Sequence, residues 1–492
     1  MKKLLCLLLM AALLFTLVAC DTGNTPGGTE VPGGEVPGGE TPGDETPGGN
    51  DTPGGETPGP GEDTPPEKEP TPTPTLTLTP SAEFITEGSI LKFTVSGEGY
   101  DAEDLSLTLS DTSLTAAPRQ EGLVFSARAL KAGELTATVQ SGELTASCTV
   151  SIFPLENVIT PDDPLIYYLG RTETQNDRVL LNNTAAGFEV KFYGKSITLS
   201  MGNAGGESVF SVFLDGETDP EAYKINLTTD LQGGKITLAS FDEPGIHTLR
   251  VQKVSEEQIS RASFASLTIE KGGLLPYTPE YAFKMEAYGA STTAGYGNLR
   301  AEGEPDDQKR QNGLLTYAGL AATALNAEYR TFCQSGLGLY TNPYNGTRWM
   351  KDIYANVSPA SDTKWDMTSY TPDLVVIYVG ANDIWAQNGS IGNVPFTAEE
   401  YIGHYVTFVK NLHAVYGDKT TFILCSGLME TGLAPSIKAV ASQLRAAGIE
   451  AYEVVLPTRT GYGGHPCRAA HEEAAAVLTA KICDLFGMEL PA

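Results

Sequence analysis

From Leu76 to Pro154 apolar and polar positions alternate in short runs: "TLTLTP", "ILKFTVSG", "LSLTLSD", "LVFSARAL", "GELTATVQSG" and "ELTASCTVSI". A period of two places every second side chain on one face, so each run predicts a half-buried strand. Turn residues recur about every ten positions, and residues 75–154 read as a small antiparallel sandwich similar to bacterial immunoglobulin-like domains. Residues 160–275 repeat the alternation in longer runs such as "FEVKFYG", "SVFSVFLDG" and "HTLRVQKV", with Asp215-Gly216 marking a hairpin. They predict a second sandwich.

The texture changes over 278–490. Apolar runs without alternation ("LVVIYVG", "TFILCSG", "EAYEVVLP") are separated by stretches of helical period ("LLTYAGLAATALNA", "AEEYIGHYVTFVKNLHAVYG", "SIKAVASQLRAAG", "AHEEAAAVLTAKICDLFG"). Runs of that kind are strands buried on both faces, and the alternation with helices predicts a parallel sheet covered on both sides. A domain of this size holds one sizeable core.

The N-terminal segments carry no such pattern. Lys2 and Lys3 precede an apolar stretch from Leu4 to Val18, and "LVAC" closes it at Cys20. Residues 1–20 therefore read as an export signal. The site resembles a bacterial lipobox, which implies a lipid anchor on Cys20 and a protein held on the outer face of a membrane. Residues 21–74 are a degenerate proline, glycine and acid repeat with almost no apolar side chains. Such a segment buries too little to offset chain entropy and predicts a disordered stalk. Within it, residues 21–70 hold twelve acids against one lysine, a large share of the net charge of −29 on the 492-residue chain. This charge disfavours binding to nucleic acid. With Cys6 in the signal and Cys20 as the anchor, Cys148, Cys333, Cys425, Cys467 and Cys483 remain. Five is odd, so at least one is unpaired or bonded outside the chain. No Cys/His spacing suits a metal, and no cofactor is expected.

Active residues in an open α/β sheet collect beyond the carboxyl ends of its strands. Four glycine-rich turns fall there: "YGASTTAGYG" with Ser291, "CQSGLGLY" with Gly336, "GANDIW" with Asn382, and "GYGGHPC" with His465. Their order is serine, glycine, asparagine, histidine. In these contexts the chain resembles the SGNH superfamily of serine hydrolases, and within it carbohydrate esterase family two. The motifs "YYLGRTE" (167–173), "SGLGLY" (335–340), "GAND" (380–383), "CSGLME" (425–430) and "GHP…H" (464–471) carry the likeness. The resemblance implies a jelly-roll-like sandwich over 160–275 and a flavodoxin-like hydrolase domain over 278–490. It also implies removal of acetyl groups from plant-type polysaccharide (xylan or glucomannan class) through an acyl-serine intermediate. A glycan-binding protein with weakened catalysis and a lipase or phospholipase of the wider superfamily are the alternatives.

A serine hydroxyl needs a base to become a nucleophile. Of five histidines, His404 and His413 fall in a helical stretch, His247 in the sandwich and His471 inside the last helix. His465 remains, and pairs with Ser291 as nucleophile and base. Carried over from the family, the oxyanion donors are the backbone amides of Ser291 and Gly336 and the side-chain amide of Asn382. Trp385 and Tyr340 follow two of the turns and are candidates to stack on sugar rings.

Two positions depart from the superfamily pattern. Ala290 stands where an aspartate usually precedes the serine. Tyr462 and Gly463 stand where the acid that orients the histidine usually lies. Either a backbone carbonyl or a distant carboxylate then holds the imidazole, or catalysis is weakened; the expectation is that a backbone carbonyl accepts the His465 Nδ1–H.

Overall fold

The structure, a computed structural model, describes residues 73–344, 346–386, 394–459 and 464–491. The signal, Cys20, Tyr462, Gly463 and the stalk up to residue 72 lie outside the described residues. Residues 75–153 form two four-stranded sheets. One is ordered Thr75–Pro80, Ile90–Glu98, Val124–Arg128, Arg119–Glu121; the other Phe84–Thr86, Leu144–Phe153, Gly133–Ser141, Ser106–Leu109. Alternation does what the sequence implied: Leu91, Phe93 and Val95 are buried while Ile90, Lys92 and Thr94 face water. Leu91, Phe93, Leu135, Val139 and Val150 share one core between the sheets. Phe84 and Phe153 stack with Tyr193 of the next domain at 5.4 and 5.9 Å, making an aromatic joint.

The second domain is one ten-stranded hydrogen-bonded network. It closes around its own core because two strands are very long, Gly187–Asn203 and Lys235–Lys253. Register shifts between Gly194 and Ser196 and again after Ile197 interrupt their pairing. Bulges of this kind bend a strand and increase its twist. The first half of Gly187–Asn203 then pairs with Tyr167–Leu169 and Gly273–Leu275, the second half with Ala262–Glu270. Phe188, Val190, Phe192, Ile197 and Leu199 fill the enclosed core.

The C-terminal domain has five parallel strands, numbered within it as β1 (Phe283–Gly289), β2 (Ala327–Cys333), β3 (Leu374–Tyr378), β4 (Thr421–Gly427) and β5 (Ala451–Leu456). Their order is β2-β1-β3-β4-β5. Alternate residues feed two cores. Met285, Ala287, Val376 and Ile423 meet helices α1 (Tyr317–Ala324) and α4 (Arg468–Phe486). Tyr288, Val375, Ile377 and Leu424 meet α2 (Ala398–Tyr416) and α3 (Ala434–Ala446). The order of strand addition reverses at β1, with β2 on one side and β3 to β5 on the other, which makes the crevice beyond β1 and β3 the natural ligand site.

The second sandwich and the α/β domain are bolted together by buried polar groups. Arg171, from the "YYLGRTE" run, is fully buried and pairs with buried Glu286 of β1 at 3.0 Å. Its Nη1 also donates to the Asn356 carbonyl at 2.8 Å. Thr331 Oγ1 donates to the Thr184 carbonyl at 2.6 Å and Tyr167 Oη to Glu328 at 2.8 Å. A buried charge pair of this sort fixes one geometry, since separating the domains leaves each charge uncompensated.

Candidate active site

Ser291 starts a one-turn helix, Ser291–Ala294, directly after β1. The turn is tight. A Cβ at Gly289 would lie 1.9 Å from Thr293 Oγ1, so only glycine fits there. As the first helical residue, Ser291 has no intrahelical acceptor for its N–H. His465 approaches from the segment ahead of α4. Its Nε2 lies 3.0 Å from Ser291 Oγ. Its Nδ1 lies 2.9 Å from Asp306 Oδ2. Tyr296 stacks on the imidazole, ring centroids 4.1 Å apart and planes 19° from parallel. Arg300 is buried, and its Nη2 makes a 3.0 Å ion pair with Asp306 Oδ1 and donates to the His465 carbonyl. Its Nη1 donates to the Glu304 carbonyl at 2.8 Å. One guanidinium thus holds the acid and the backbone of the base.

Gly336 and Asn382 face Ser291 across a cleft of about 550 Å³, lined also by Trp385, Tyr344, Gln258 and Gln308. Gly336 has φ +81°, a conformation that suits glycine. Asn382 is buried and spends one side-chain proton on the Leu337 carbonyl at 3.1 Å, which aims the amide and leaves its second proton. The intervening loop is organised by Asp383. This fully buried carboxylate accepts the N–H groups of Leu339, Tyr340 and Thr341 at 2.8, 3.0 and 3.1 Å. Burial nevertheless pushes its pKa up to about 6 against those three donors.

Residues 168–279 match the family model described as carbohydrate esterase 2 N-terminal, and residues 285–475 match that described as GDSL-like lipase/acylhydrolase. Residues 285–475 are thus similar to a GDSL-like hydrolase domain. The pair of matched domains is similar to that of family two carbohydrate esterases. The cellulase/esterase CelE of Acetivibrio thermocellus is 29% identical over 353 residues, which is 68% of this chain and 41% of that protein. An acetylxylan esterase / glucomannan deacetylase of Cellvibrio japonicus is 27% identical over 292 residues, 57% of this chain and 78% of the relative. The structure of a family two carbohydrate esterase from Clostridium thermocellum in complex with cellohexaose superposes with a TM-score of 0.57. It is 25% identical and covers 65% of this chain and 99% of the other.

Ser291, His465, Gly336, Asn382 and Trp385 all line the same cleft. Two expectations need correction. His465 Nδ1 meets no backbone carbonyl; it meets the Asp306 carboxylate, 159 residues upstream. Tyr340 is not on the cleft. Its ring is buried against His404, and its hydroxyl lies near the Pro395 and Thr397 carbonyls and accepts the Thr397 N–H at 2.9 Å. A side chain held from so many sides anchors a loop rather than presenting a face to substrate. His471 packs inside α4: it is buried, its Nδ1 accepts the Tyr317 N–H, and burial lowers its pKa to about 3. The five described cysteines are free thiols.

Sequence reasoning missed Asp306, Arg300, Asp383 and Tyr296. One signal was available for Asp306, Arg300 and Tyr296. No strand or helix pattern covers residues 295–312, and structureless loops beyond about 12–15 residues are usually functional.

Proposed function

We propose that this protein removes O-acetyl groups from plant-type polysaccharide by a Ser291–His465–Asp306 triad. The observation that carries the reading is the unbroken line Ser291 Oγ, His465 Nε2 at 3.0 Å and Asp306 Oδ2 at 2.9 Å from Nδ1, opening on a cleft at the carboxyl ends of the strands. Ser291 Oγ attacks the acetyl carbonyl carbon while His465 Nε2 takes its proton. Asp306 fixes the tautomer and balances the imidazolium. Negative charge grows on the carbonyl oxygen, where the amides of Ser291, Gly336 and Asn382 receive it. Each such donor is worth about 3 kcal/mol in the transition state. Collapse expels the sugar oxygen, which leaves with the proton from His465. Water then attacks the acetyl-serine with His465 again as base, releasing acetate.

The cleft walls support a glycan in place of a lipid. Gln258, Gln308, Gln334 and Asn342 supply amides, and half-exposed Trp385 and Tyr344 supply flat faces. Amides match hydroxyl groups, and aromatic faces match sugar rings. The relatives named for acetylxylan, glucomannan and cellohexaose point to the same class of substrate. The Cys20 anchor and the acidic stalk complete the proposal: an exported esterase held off a membrane, with the first sandwich as spacer.

The test is acetate release from acetylated xylan and acetylated glucomannan, compared with Ser291→Ala. The substitution should lower kcat by at least about 10⁴-fold with Tm unchanged. Equal acetate release by the variant would remove Ser291 as nucleophile, and no release by the wild type from either polymer would remove the substrate class.

A further inference from the structure

The second sandwich does more than wall the cleft. Its segment Val254–Gln258 reaches both halves of the reacting machinery. On one side, the Glu256 N–H donates to Gln311 Oε1 at 3.0 Å, the Val254 carbonyl accepts the Gly313 N–H at 2.9 Å, and Glu256 Oε1 accepts Gln308 Nε2 at 2.9 Å. Those partners belong to the loop that carries Asp306. On the other side, Glu256 Oε2 accepts the Ser335 N–H at 2.7 Å and Oε1 accepts the Ser335 Oγ–H at 2.7 Å. Gln258 Nε2 donates to the Ser335 carbonyl at 3.0 Å. Ser335 immediately precedes Gly336.

Glu256 is fully buried and makes no ion pair among the described residues. Its carboxylate oxygens accept from Ser335 and Gln308, and buried Lys253 nearby adds a coulombic contact. Charge-assisted bonds of this length are roughly twice as strong as neutral ones and tolerate little displacement. The segment Ser335–Thr341 is therefore clamped at its start by Glu256 from the sandwich and at its end, over Leu339–Thr341, by Asp383 from the α/β domain. Between the two clamps Gly336 lines the cleft.

We propose that Glu256 is a positioning residue for ester hydrolysis: through Ser335 it sets the Gly336 amide that receives the oxyanion. The inference rests on the triad reading given above. It makes the sandwich a part of the catalytic apparatus and gives a physical reason for the two domains to share a chain. Glu256 touches no reacting atom, so its removal should lower kcat and leave substrate binding nearly intact.

The experiment uses the full chain and two readouts of the oxyanion site: hydrolysis of 4-nitrophenyl acetate, and the rate at which a fluorophosphonate modifies Ser291, followed by intact mass. The phosphoryl oxygen of the second probe uses the same donors as the oxyanion and needs no glycan. Final labelling stoichiometry counts folded sites, so kcat is expressed per competent site. Glu256→Gln keeps the volume but turns one of the two acceptors into a donor facing Ser335 or Gln308. Expected are a fall in kcat of about 10²-fold, the cost of a displaced catalytic group, a KM within about twofold, and parallel slowing of phosphonylation. Ser335→Ala keeps the hydrogen bond from its backbone N–H to Glu256 and should lose about tenfold, and the double variant should be no slower than Glu256→Gln alone. A purely structural role would lower Tm while leaving kcat per site unchanged. Glu256→Gln within threefold of wild type on both probes overturns the proposal, as does an unaltered Ser335→Ala if Glu256→Gln does not fold. Loss of these responses is distinct from failure of the substrate reading, in which the wild type turns over 4-nitrophenyl acetate yet leaves acetylated polysaccharide intact.

Discussion

Asp306→Asn and Asp306→Ala should differ in a direction that the geometry fixes. In the wild type Oδ1 lies 3.0 Å from Arg300 Nη2 and Oδ2 lies 2.9 Å from His465 Nδ1. Arg300 is buried and permanently cationic, so in the asparagine variant the carbonyl oxygen turns to Arg300 and the NH₂ group turns to His465. A donor facing Nδ1 makes that nitrogen the acceptor and moves the ring proton to Nε2. The nitrogen 3.0 Å from Ser291 Oγ then has no lone pair with which to take its proton. Neutralising the acid of such a triad costs about 10⁴ in rate, equivalent to about 5 kcal/mol at 1.36 kcal/mol per tenfold. Here the carboxylate keeps 18% of its surface exposed, and solvent screens part of its charge, so a loss of about 10³-fold is expected. Asp306→Ala removes the charge without imposing a tautomer, and a water can accept the Nδ1–H. It should lose about 10²-fold, less than asparagine. The assay is kcat/KM on 4-nitrophenyl acetate, with both variants checked for cooperative unfolding. Asparagine retaining a tenth or more of wild-type activity, or alanine proving the slower of the two, would refute the argument that Arg300 orients this acid.

Asp383 makes folding stability depend on pH. Its pKa rises from 3.8 to about 6 on folding, so between those values the folded chain holds a proton that the unfolded chain has lost, and stability falls as pH rises through the window, by about 3 kcal/mol in all. Denaturant unfolding of wild type and Asp383→Asn at pH 4 and pH 7 should show the wild type relatively more stable at pH 4; the same difference at both values would refute this. Cys20→Ser should move the protein from the membrane fraction to the soluble fraction with unchanged turnover of small esters, and retention on the membrane would locate the anchor elsewhere.

The parts of the fold that the sequence made legible are those whose signal is periodic. Alternation along Ile90–Glu98 and unbroken apolar runs such as Leu374–Tyr378 report how many faces of a strand are buried, and burial follows. The turns carrying Ser291, Gly336, Asn382 and His465 were legible because each follows a strand or precedes a helix, and glycine marks where the backbone must bend. Trp385 stands exposed on the cleft, while Tyr340, equally aromatic and equally near a turn, is consumed by packing against His404. Nothing local separates the two. The difference lies in the Pro395–Thr397 segment that closes over Tyr340.

Asp306 shows why the site itself was only half legible. The acid was sought within a few residues of His465, where a local motif would put it, but a hydrogen bond needs only a short distance in space. The loop 295–312 has no strand ladder, only scattered backbone bonds such as Leu299 N–H to the Arg310 carbonyl at 3.1 Å, and side chains complete it: Asn298 Nδ2 donates to the Asn312 and Leu315 carbonyls at 2.8 and 3.0 Å, and Asn298 Oδ1 accepts the Asn312 N–H at 2.8 Å. Arg300 then spans the loop to reach His465, and Gln308 and Gln311 tie it to the sandwich. Every one of these residues is polar and would read as solvent-facing in a pattern of apolar and polar positions. Buried polar groups must find partners, and here the partners lie on two other segments of the chain. A loop built in this way is rigid only when all three segments are in place, which ties the orientation of the catalytic acid to the docking of the sandwich domain.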